Sequence, residues 1–371
     1  MDSTFPEQII EKERLYPLFQ KRREPGLNYG FLAGDNLLTS SLQGREVVSP
    51  KVSIIILNWN NYKDTQECFE SLEKITYPNY EVVFVDNCST DGSDEKLRKE
   101  FSQHIFIQTG ANLGFSGGCN AGIKYALKNG DDYIMLLNND TIVKKDFLEP
   151  LVEAFESNVG LGIVGGKAYY YDKPNRIHMA GARMDWLRAT YKRYGDNQID
   201  RGQFDTPREV GFASAYFMLV KKEVFADIGP LSEDYFGGVE ECEFVVRAKG
   251  EGYKIYYVPD SVIWHKIGKS FTRGTPRGMY NCYRNKLIFM QKFLSPFKWK
   301  LWRFGFYIYA KSFAPLKLLI QSKKYGQQGN LKAIKTAINK ALQDGKVKKK
   351  VTLEDLKEIE RIVSDVNTND S

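Results

Sequence analysis

The chain has 371 residues, enough for two domains or for one domain with extensions. Its hydrophobic content of 42% supplies a full core without disulfides, and its five cysteines are odd in number and lack Cys-x-x-Cys spacing. This composition indicates a reducing, cytoplasmic compartment. No stretch of about 18 residues is apolar enough to predict a membrane span, and no secretory leader is expected.

Residues 1–50 show weak periodicity and are predicted to form an N-terminal extension. From there, short apolar runs alternate with helical patterns. Strands are predicted over 52–57, 82–85, 105–108 and 133–137, and helices over 64–72, 91–101 and 117–127. Strands that alternate with helices of about ten residues are typical of βαβ units. The sequence therefore predicts an α/β fold with a Rossmann-like, mostly parallel sheet flanked by helices.

The pattern becomes mixed after residue 160. Strands over 163–171 and 176–186 predict a small antiparallel addition, and 190–207 is predicted to be a loop. Helices are expected at 222–227 and 240–249, and a strand at 254–258 that stops at Pro259. The C-terminal third is predicted to be a helical extension with a polar tail.

Polar side chains follow each of the four early strands. Because the carboxyl ends of parallel strands meet at one edge of a sheet, they predict a polar crevice for a nucleotide. Asp86 would accept a hydrogen bond from a base or a ribose, and Trp59 offers an apolar face. Gly114 and Gly118 would let the backbone approach phosphate at a helix N-terminus. Asp140, directly after the fourth strand, would hold a divalent cation.

Six segments in order resemble the family 2 glycosyltransferases, which have the GT-A fold, and among them the rhamnosyltransferase-like members. They are VSIIILNWNN (52–61), VVFVDNCSTDGS (82–93), NLGFSGGCNAGI (112–123), YIMLLNNDT (133–141), EECEFVVRAKGEGYKIYYVPDSVIWH (240–265) and YRN (283–285). The resemblance implies a catalytic domain over 51–290, with a nucleotide-sugar half at about 51–141 and an acceptor half at about 142–290. Residues 291–371 would form a basic, aromatic, helical region and a tail.

The resemblance also implies the role of each site residue. Asp140 and His265 would bind Mg²⁺ or Mn²⁺, and Glu241 would be the catalytic base, with Glu240 as the next candidate. The residues expected to contact the donor nucleotide and its diphosphate are Asn58, Trp59, Asn60, Asp86, Asn112, Gly114, Gly118, Asn120, Asn138 and Asn139.

Several positions depart from the family pattern. The metal-binding triplet reads Asn138-Asn139-Asp140, which has one carboxylate fewer than Asp-x-Asp, and the base is Glu241 where the family usually has Asp. The usual Ser-Gly-Ala reads Ser214-Ala215-Tyr216, whose larger side chains would narrow the acceptor side.

The resemblance implies an inverting, metal-dependent hexosyltransferase. We expect a nucleotide-sugar donor, first dTDP-rhamnose and otherwise a UDP-sugar, and a hydroxyl of a lipid-linked or growing surface polysaccharide as acceptor. A nucleotide-sugar nucleotidyltransferase is an alternative, although its Gly-rich first turn is replaced by NWNNYKD. A catalytically inactive binding module of the same fold is a second alternative.

Charge is unevenly distributed in this chain, whose net charge is +7. Between Pro296 and Tyr325 there are seven basic residues and no acidic one, interleaved with aromatic residues. This pattern favours contact with an anionic membrane surface and a peripheral location on the inner face of the cell membrane. One alternative is that the aromatic residues pack on the catalytic domain, and the other is that this region binds nucleic acid. We expect no nucleic-acid partner.

Overall fold

The computed structural model describes residues 49–266, 275–316, 331–347 and 350–368, so the expected N-terminal extension lies almost entirely outside the described residues. The strands are β1 Val52–Asn58, β2 Tyr80–Asp86, β3 Ile105–Gln108, β4 Tyr133–Asn138, β5 Thr141–Val143, β6 Leu161–Tyr170, β7 Lys173–Met179, β8 Ala182–Asp185, β9 Thr190–Arg193, β10 Arg208–Val210, β11 Phe217–Lys221 and β12 Lys254–His265. The helices are α1 Tyr62–Leu72, α2 Ser93–Glu100, α3 Gly114–Asn129, α4 Glu149–Ser157, α5 Lys222–Ile228, α6 Glu240–Gly250, α7 Pro276–Phe293, α8 Pro296–Ile308, α9 Leu331–Lys346 and α10 Leu353–Thr368.

A single large sheet organises the domain, in the order β10-β12-β6-β11-β4-β1-β2-β3. Strands β3, β2, β1 and β4 are parallel neighbours, and β11 joins β4 antiparallel. Strands β1, β2 and β4 are buried along most of their length, which is why they read as continuous apolar runs. The predicted α/β architecture with an antiparallel addition and C-terminal helices is confirmed.

Three predicted boundaries are wrong. The run at 176–186 forms two strands, β7 and β8, because the chain turns at Gly181, whose φ is +77°. The predicted loop at 190–207 contains β9, which pairs with β8 in a separate two-stranded sheet. Strand β12 continues past Pro259 to His265, because a register shift between Val258 and Val262 accommodates the proline.

The C-terminal helices pack on one another and on the sheet domain. Helix α9 packs along α7, and the buried Tyr280 donates to Asp344 across that contact (2.6 Å). Within the described ranges, no helix combines the length and the hydrophobicity that crossing a bilayer requires.

Candidate active site

Strand register brings the polar strand ends together. Asn58 lies opposite Asp86 in the β1–β2 pair, Leu57 lies opposite Asn138 in the β1–β4 pair, and Asp86 lies opposite Gln108 in the β2–β3 pair. The polar edge that the sequence predicts is therefore a continuous row across four strands.

Asn58 is fully buried and connects three segments of this edge. Its amide nitrogen donates to Asp86 Oδ1 (3.1 Å) and Ser93 Oγ (2.9 Å), and its Oδ1 accepts from Thr65 Oγ1 and Asn139 Nδ2 (both 3.1 Å). Asn58 and Asn139 thus hold β1, α1 and the β4 end in one network. Asn58 and Asn139, which are predicted to contact the donor nucleotide, therefore lie at the floor of the crevice.

Asp86 is also fully buried, and both of its carboxylate oxygens are hydrogen-bonded. Oδ1 accepts from Asn58, while Oδ2 accepts from the Ser89 backbone N–H (2.8 Å) and Gln108 Nε2 (3.0 Å). Gln108 is exposed, so its side chain is the partner that a nucleotide could replace. A base-reading role for Asp86 stays a prediction.

The loops after β1 and β2 are joined through Asn60. Its backbone N–H donates to Ser89 Oγ (2.9 Å), and its Oδ1 accepts from the Thr90 backbone N–H (2.7 Å). Asn60 and Cys88 both adopt positive φ, 53° and 64°. Non-glycine residues in this region are uncommon and often mark functional loops. Trp59, next to Asn60, is partly exposed at the mouth of the crevice.

Packing explains the glycines at the start of α3. A Cβ at Gly114, where φ is +73°, would lie 2.2 Å from the backbone oxygen of Phe236. A Cβ at Gly118 would lie 2.3 Å from Leu57 Cδ1. These glycines therefore allow α3 to pack against β1 and against the segment before α6.

The two asparagines of this segment fix loops. Asn112 Oδ1 accepts from the Gly114 backbone N–H (2.9 Å) and from Asn87 Nδ2 (3.2 Å). Asn120 exchanges hydrogen bonds with the backbone of Leu231 and also donates to Glu233. Asn120 thus holds the 231–233 loop in place by hydrogen bonds. Its contact with a diphosphate stays a prediction.

Asp140 and His265 meet at the end of the sheet. The pairing of β5 with β12 sets Thr141 opposite His265, and His265 Nε2 lies 3.0 Å from Asp140 Oδ1. Each residue is only 7% exposed. Burial opposes ionisation of Asp140, but the hydrogen bond and charge of His265 hold the pKa of the carboxyl below its usual value. Asn138 also hydrogen-bonds this carboxylate.

The Asp140–His265 pair fits a divalent cation that takes its remaining ligands from a substrate. Among the described residues, no group of three or more His, Cys, Asp and Glu side chains could enclose a metal alone. His265 Nδ1 is buried without a hydrogen-bond partner in the described part of the chain. Mg²⁺-type sites commonly use one or two protein ligands plus phosphate oxygens, which is the donor set available here.

Glu241 is held at the start of α6. Its Oε2 accepts from Ser214 Oγ (2.6 Å) and from the Ala215 backbone N–H (2.8 Å), and the Tyr191 hydroxyl lies close to the same carboxylate. The enclosed environment raises the pKa of Glu241, although the hydrogen bonds from Ser214 and Ala215 act in the opposite direction. Both of these hydrogen bonds fall on Oε2, and the Tyr191 hydroxyl is a further hydrogen-bond partner of the carboxylate.

Tyr216 connects Glu241 to the Asp140–His265 pair. It follows the two residues that hold Glu241, and its ring stacks on His265 with 4.5 Å between centroids and 24° between planes. Its backbone oxygen accepts from the Asn138 N–H (3.1 Å). The segment Ser214–Ala215–Tyr216 therefore brings the candidate base and the candidate metal ligands to one pocket.

Glu240 is the less suitable base. It is 4% exposed, its Oε2 has no hydrogen-bond partner among the described residues, and burial raises its pKa to about 7. The preceding residue, Val239, adopts φ +86°, which is strained for a β-branched side chain. Glu240 therefore points into the protein, whereas Glu241 is partly exposed.

The YRN segment of α7 positions the loop before α6. Arg284 is fully buried and donates to the Asp234 backbone oxygen (2.9 Å) and to Asn285 Oδ1 (2.7 Å). Asn285 Nδ2 donates to the backbone oxygens of Gly237 (3.1 Å) and Gly238 (2.7 Å). A motif in a distant helix thus fixes the backbone that carries Glu241.

Sequence reasoning missed two side chains of this pocket. Arg277 lies 5.7 Å from the ring centroid of Trp59 and 5.9 Å from that of Phe236. It is partly buried, and the carboxylate of Glu360 contributes to its electrostatic environment. Tyr191 lies against Glu241. An arginine in the first turn of α7 and a tyrosine in a predicted loop gave no sequence signal, since each acts through tertiary contacts.

Comparison with known proteins shows what the domain is similar to. Residues 53–229 match the family model Glycosyl transferase family 2. The chain is 25% identical over 222 residues to the dTDP-rhamnosyl transferase RfbF of Shigella flexneri, a match that covers 58% of this chain and 72% of that protein. It is also 25% identical over 226 residues to the low-salt glycan biosynthesis hexosyltransferase Agl10 of Haloferax volcanii, covering 59% of this chain and 68% of that protein.

A solved structure shares the fold. GalNAc-T7, crystallised with UDP, GalNAc and Mn²⁺, superimposes with a TM-score of 0.55 at 15% identity, over 81% of this chain and 56% of that one. This similarity shows that the sheet domain has the GT-A architecture. Residues 53–229 are therefore similar to glycosyl transferase family 2 in sequence, and the domain that contains them is similar to GalNAc-T7 in fold.

Proposed function

We propose that this chain is a metal-dependent, inverting hexosyltransferase that moves a sugar from a nucleoside diphosphate donor to an acceptor hydroxyl. The observation that carries the proposal is the Ser214–Ala215–Tyr216 segment, which holds Glu241 on one side and stacks on His265 on the other. A base and a metal-binding pair held together by one short segment suit a displacement at the anomeric carbon between them.

In this reaction the carboxylate of Glu241 takes the proton of the acceptor hydroxyl as the hydroxyl oxygen forms a bond to the anomeric carbon. The bond from that carbon to the diphosphate oxygen breaks, and the departing nucleoside diphosphate keeps the electron pair. A single in-line displacement inverts the configuration. A divalent cation at Asp140 and His265 would neutralise the charge that grows on the leaving diphosphate.

The donor side is assigned to the half at about 51–141 and the acceptor side to the half at about 142–290. Asp86 and Asn58 would orient the base and ribose, Trp59 would cover the base, and Arg277 would pair with donor phosphate. A guanidinium beside Trp59 is well placed for an anion, because arginine binds phosphate through several donors at once.

The donor sugar is proposed to be rhamnose from dTDP-rhamnose, with a UDP-sugar as the second candidate. The 25% identity to the rhamnosyl transferase RfbF supports the first choice. The acceptor is proposed to be a lipid-linked or growing surface polysaccharide, in line with the relative named for glycan biosynthesis.

The test has two parts. A thermal-shift panel of dTDP, UDP and their sugars with Mn²⁺ identifies the nucleotide, because a ligand that binds the native state raises its stability. Stabilisation by UDP ligands but not by dTDP ligands would exclude dTDP-rhamnose as the donor. Transfer is then measured as nucleoside diphosphate release and as a mass increase of a lipid-linked oligosaccharide.

Variants separate the three candidate functions. Asp140→Ala should abolish metal-dependent release, whereas Asp146→Ala, which removes a surface carboxylate paired with Lys144, should leave it unchanged. Glu241→Gln should bind donor but fail to transfer sugar. Release of pyrophosphate from a sugar phosphate and a nucleotide would indicate a nucleotidyltransferase. Donor binding with no turnover on any acceptor would indicate an inactive module.

A further inference from the structure

Helix α8 presents an apolar stripe to solvent. Phe297, Leu301, Phe304 and Ile308 follow i, i+4, i+7, i+11 spacing and therefore share one face of the helix. Their exposed fractions run from 46% to 77%. Large apolar side chains normally leave water when a helix packs, so a continuous exposed row indicates a surface that binds something.

The opposite face of α8 is already packed. Trp299 is 9% exposed, Trp302 stacks on Phe306, and Phe306 contacts Tyr283 of α7. The aromatic residues that the sequence interleaves with basic ones thus divide into two sets. One set anchors the helix to the domain, and the other faces outward.

Exposed apolar residues continue after α8, and the helix also contacts a neighbouring hairpin. After a π-helical turn at Tyr309–Phe313, Phe313 is 65% exposed and Leu316 is 58% exposed. Trp302 Nε1 donates to the backbone oxygen of Leu187 (2.9 Å), whose side chain is 80% exposed at the tip of the β8–β9 hairpin. We call this surface the α8 face; it comprises Phe297, Leu301, Phe304, Ile308, Phe313 and Leu316.

Cations border the α8 face. Lys298 and Lys300 are exposed, and at 100° per residue they project on opposite sides of the stripe. Arg303 and Lys311 add positive charge, and no acidic residue occurs between positions 296 and 325. Two copies packed through this face would bring like charges together, whereas an anionic lipid surface would pair with them and bury the stripe.

We propose that the α8 face inserts into the headgroup region of an anionic bilayer, so that the chain binds the membrane peripherally. The apolar stripe would enter the boundary between headgroups and acyl chains, while the lysines reach phosphate groups. The docking does not depend on the proposed sugar transfer.

One consequence of docking does rest on the proposed function. The β8–β9 hairpin carries Leu187 at its tip and Tyr191 in β9, and Tyr191 lies against Glu241. A docked α8 face would therefore hold the acceptor side of the pocket close to the bilayer, where the head of a lipid-linked glycan is found.

The test is flotation with phosphatidylcholine vesicles, with and without about one third phosphatidylglycerol, at low and high salt. The full chain should float with anionic vesicles at low salt and much less with neutral ones. The double variant Phe297→Ser, Phe304→Ser and the double variant Lys298→Glu, Lys300→Glu should each lower the vesicle partition coefficient by about tenfold or more. Val159→Ser, at a residue 100% exposed in the turn before β6, should float like the unmodified chain.

Absence of flotation at low salt, or a double serine variant that floats normally, would overturn the proposal. So would a dimer that the double serine variant dissociates without lipid, since the face would then bind a second copy. The exposed substitutions should leave thermal unfolding unchanged, which separates docking from misfolding. Nucleoside diphosphate release with a water-soluble acceptor should be unaffected, so failure of transfer and failure of docking give different results.

Discussion

The ring of Tyr216 stacks on the ring of His265, with centroids 4.5 Å apart, and completes a chain of contacts from Glu241 to Asp140. The tyrosine hydroxyl is buried without a hydrogen-bond partner among the described residues. Tyr216 stands where the family pattern has a small residue, so in this protein the imidazole proposed to bind metal gains an aromatic support.

Two substitutions of Tyr216 should distinguish the contribution of its aromatic ring from that of its hydroxyl group. Tyr216→Ala removes a fully packed ring and should lower the free energy of unfolding by about 3–5 kcal/mol. It should also weaken Mn²⁺ binding measured by calorimetry with nucleoside diphosphate present. Tyr216→Phe keeps the stacking and should change the free energy of unfolding by less than about 1 kcal/mol. Unchanged Mn²⁺ affinity in the alanine variant would refute the supporting role.

The acidic limb of the pH–rate profile should report Glu241. Since its pKa is raised, the carboxylate becomes protonated above the usual pH for glutamate and transfer falls as pH decreases through that value. Ser214→Ala removes a hydrogen bond that stabilises the anion. The limb should then move to higher pH by about one unit. A limb that stays in place would argue that another group titrates.

Glu240 should make stability fall as pH rises. Burial raises its pKa to about 7 in the folded chain, so the folded state binds a proton more tightly than the unfolded chain. Stability is therefore highest below the unfolded pKa and decreases as pH rises through 7. Glu240→Gln should raise the free energy of unfolding at pH above that value by up to about 3 kcal/mol. Urea unfolding across the pH range should show this gain disappearing in acid.

Gly114 should be more sensitive than a glycine of the same backbone conformation. Gly92→Ala, at φ +76° with open space around the new Cβ, should cost about 1–2 kcal/mol of unfolding free energy from strain alone. Gly114→Ala adds a clash with the Phe236 backbone oxygen and should cost at least about 2 kcal/mol more. It should also lower turnover, because the displaced segment leads into Glu240 and Glu241. Equal costs at the two sites would contradict this structural assignment.

Arg277 should contribute to donor binding. Arg277→Ala should weaken nucleoside diphosphate binding by about tenfold or more, as expected for loss of charged hydrogen bonds. Arg277→Lys should recover part of the affinity but not the stacking on Trp59. Arg98→Ala, which removes another arginine that lies over an aromatic ring, should bind donor normally. The affinity of each of these three variants is measured by calorimetric titration with the nucleoside diphosphate that the thermal-shift panel identifies.

Local sequence patterns predict much of the fold and several candidate site residues of this protein. The apolar runs predict β1, β2 and β4 because buried parallel strands need apolar residues on both faces. Their polar ends predict the crevice, and the family resemblance indicates Asp140, His265 and Glu241 as candidates. The amphipathic, basic composition of α8 predicts an interfacial helix, although not which side chains face outward.

Tertiary structure decided what local pattern could not. Pro259 predicts a strand end, yet β12 continues because a bulge absorbs the missing donor and carries His265 to Asp140. Tyr216, Tyr191 and Arg277 have no distinctive neighbours in sequence, and they acquire their positions only when distant segments pack. Strand periodicity acts over a few residues, whereas the contacts that assemble this pocket join distant residues, such as Asp140 with His265 and Trp59 with Arg277.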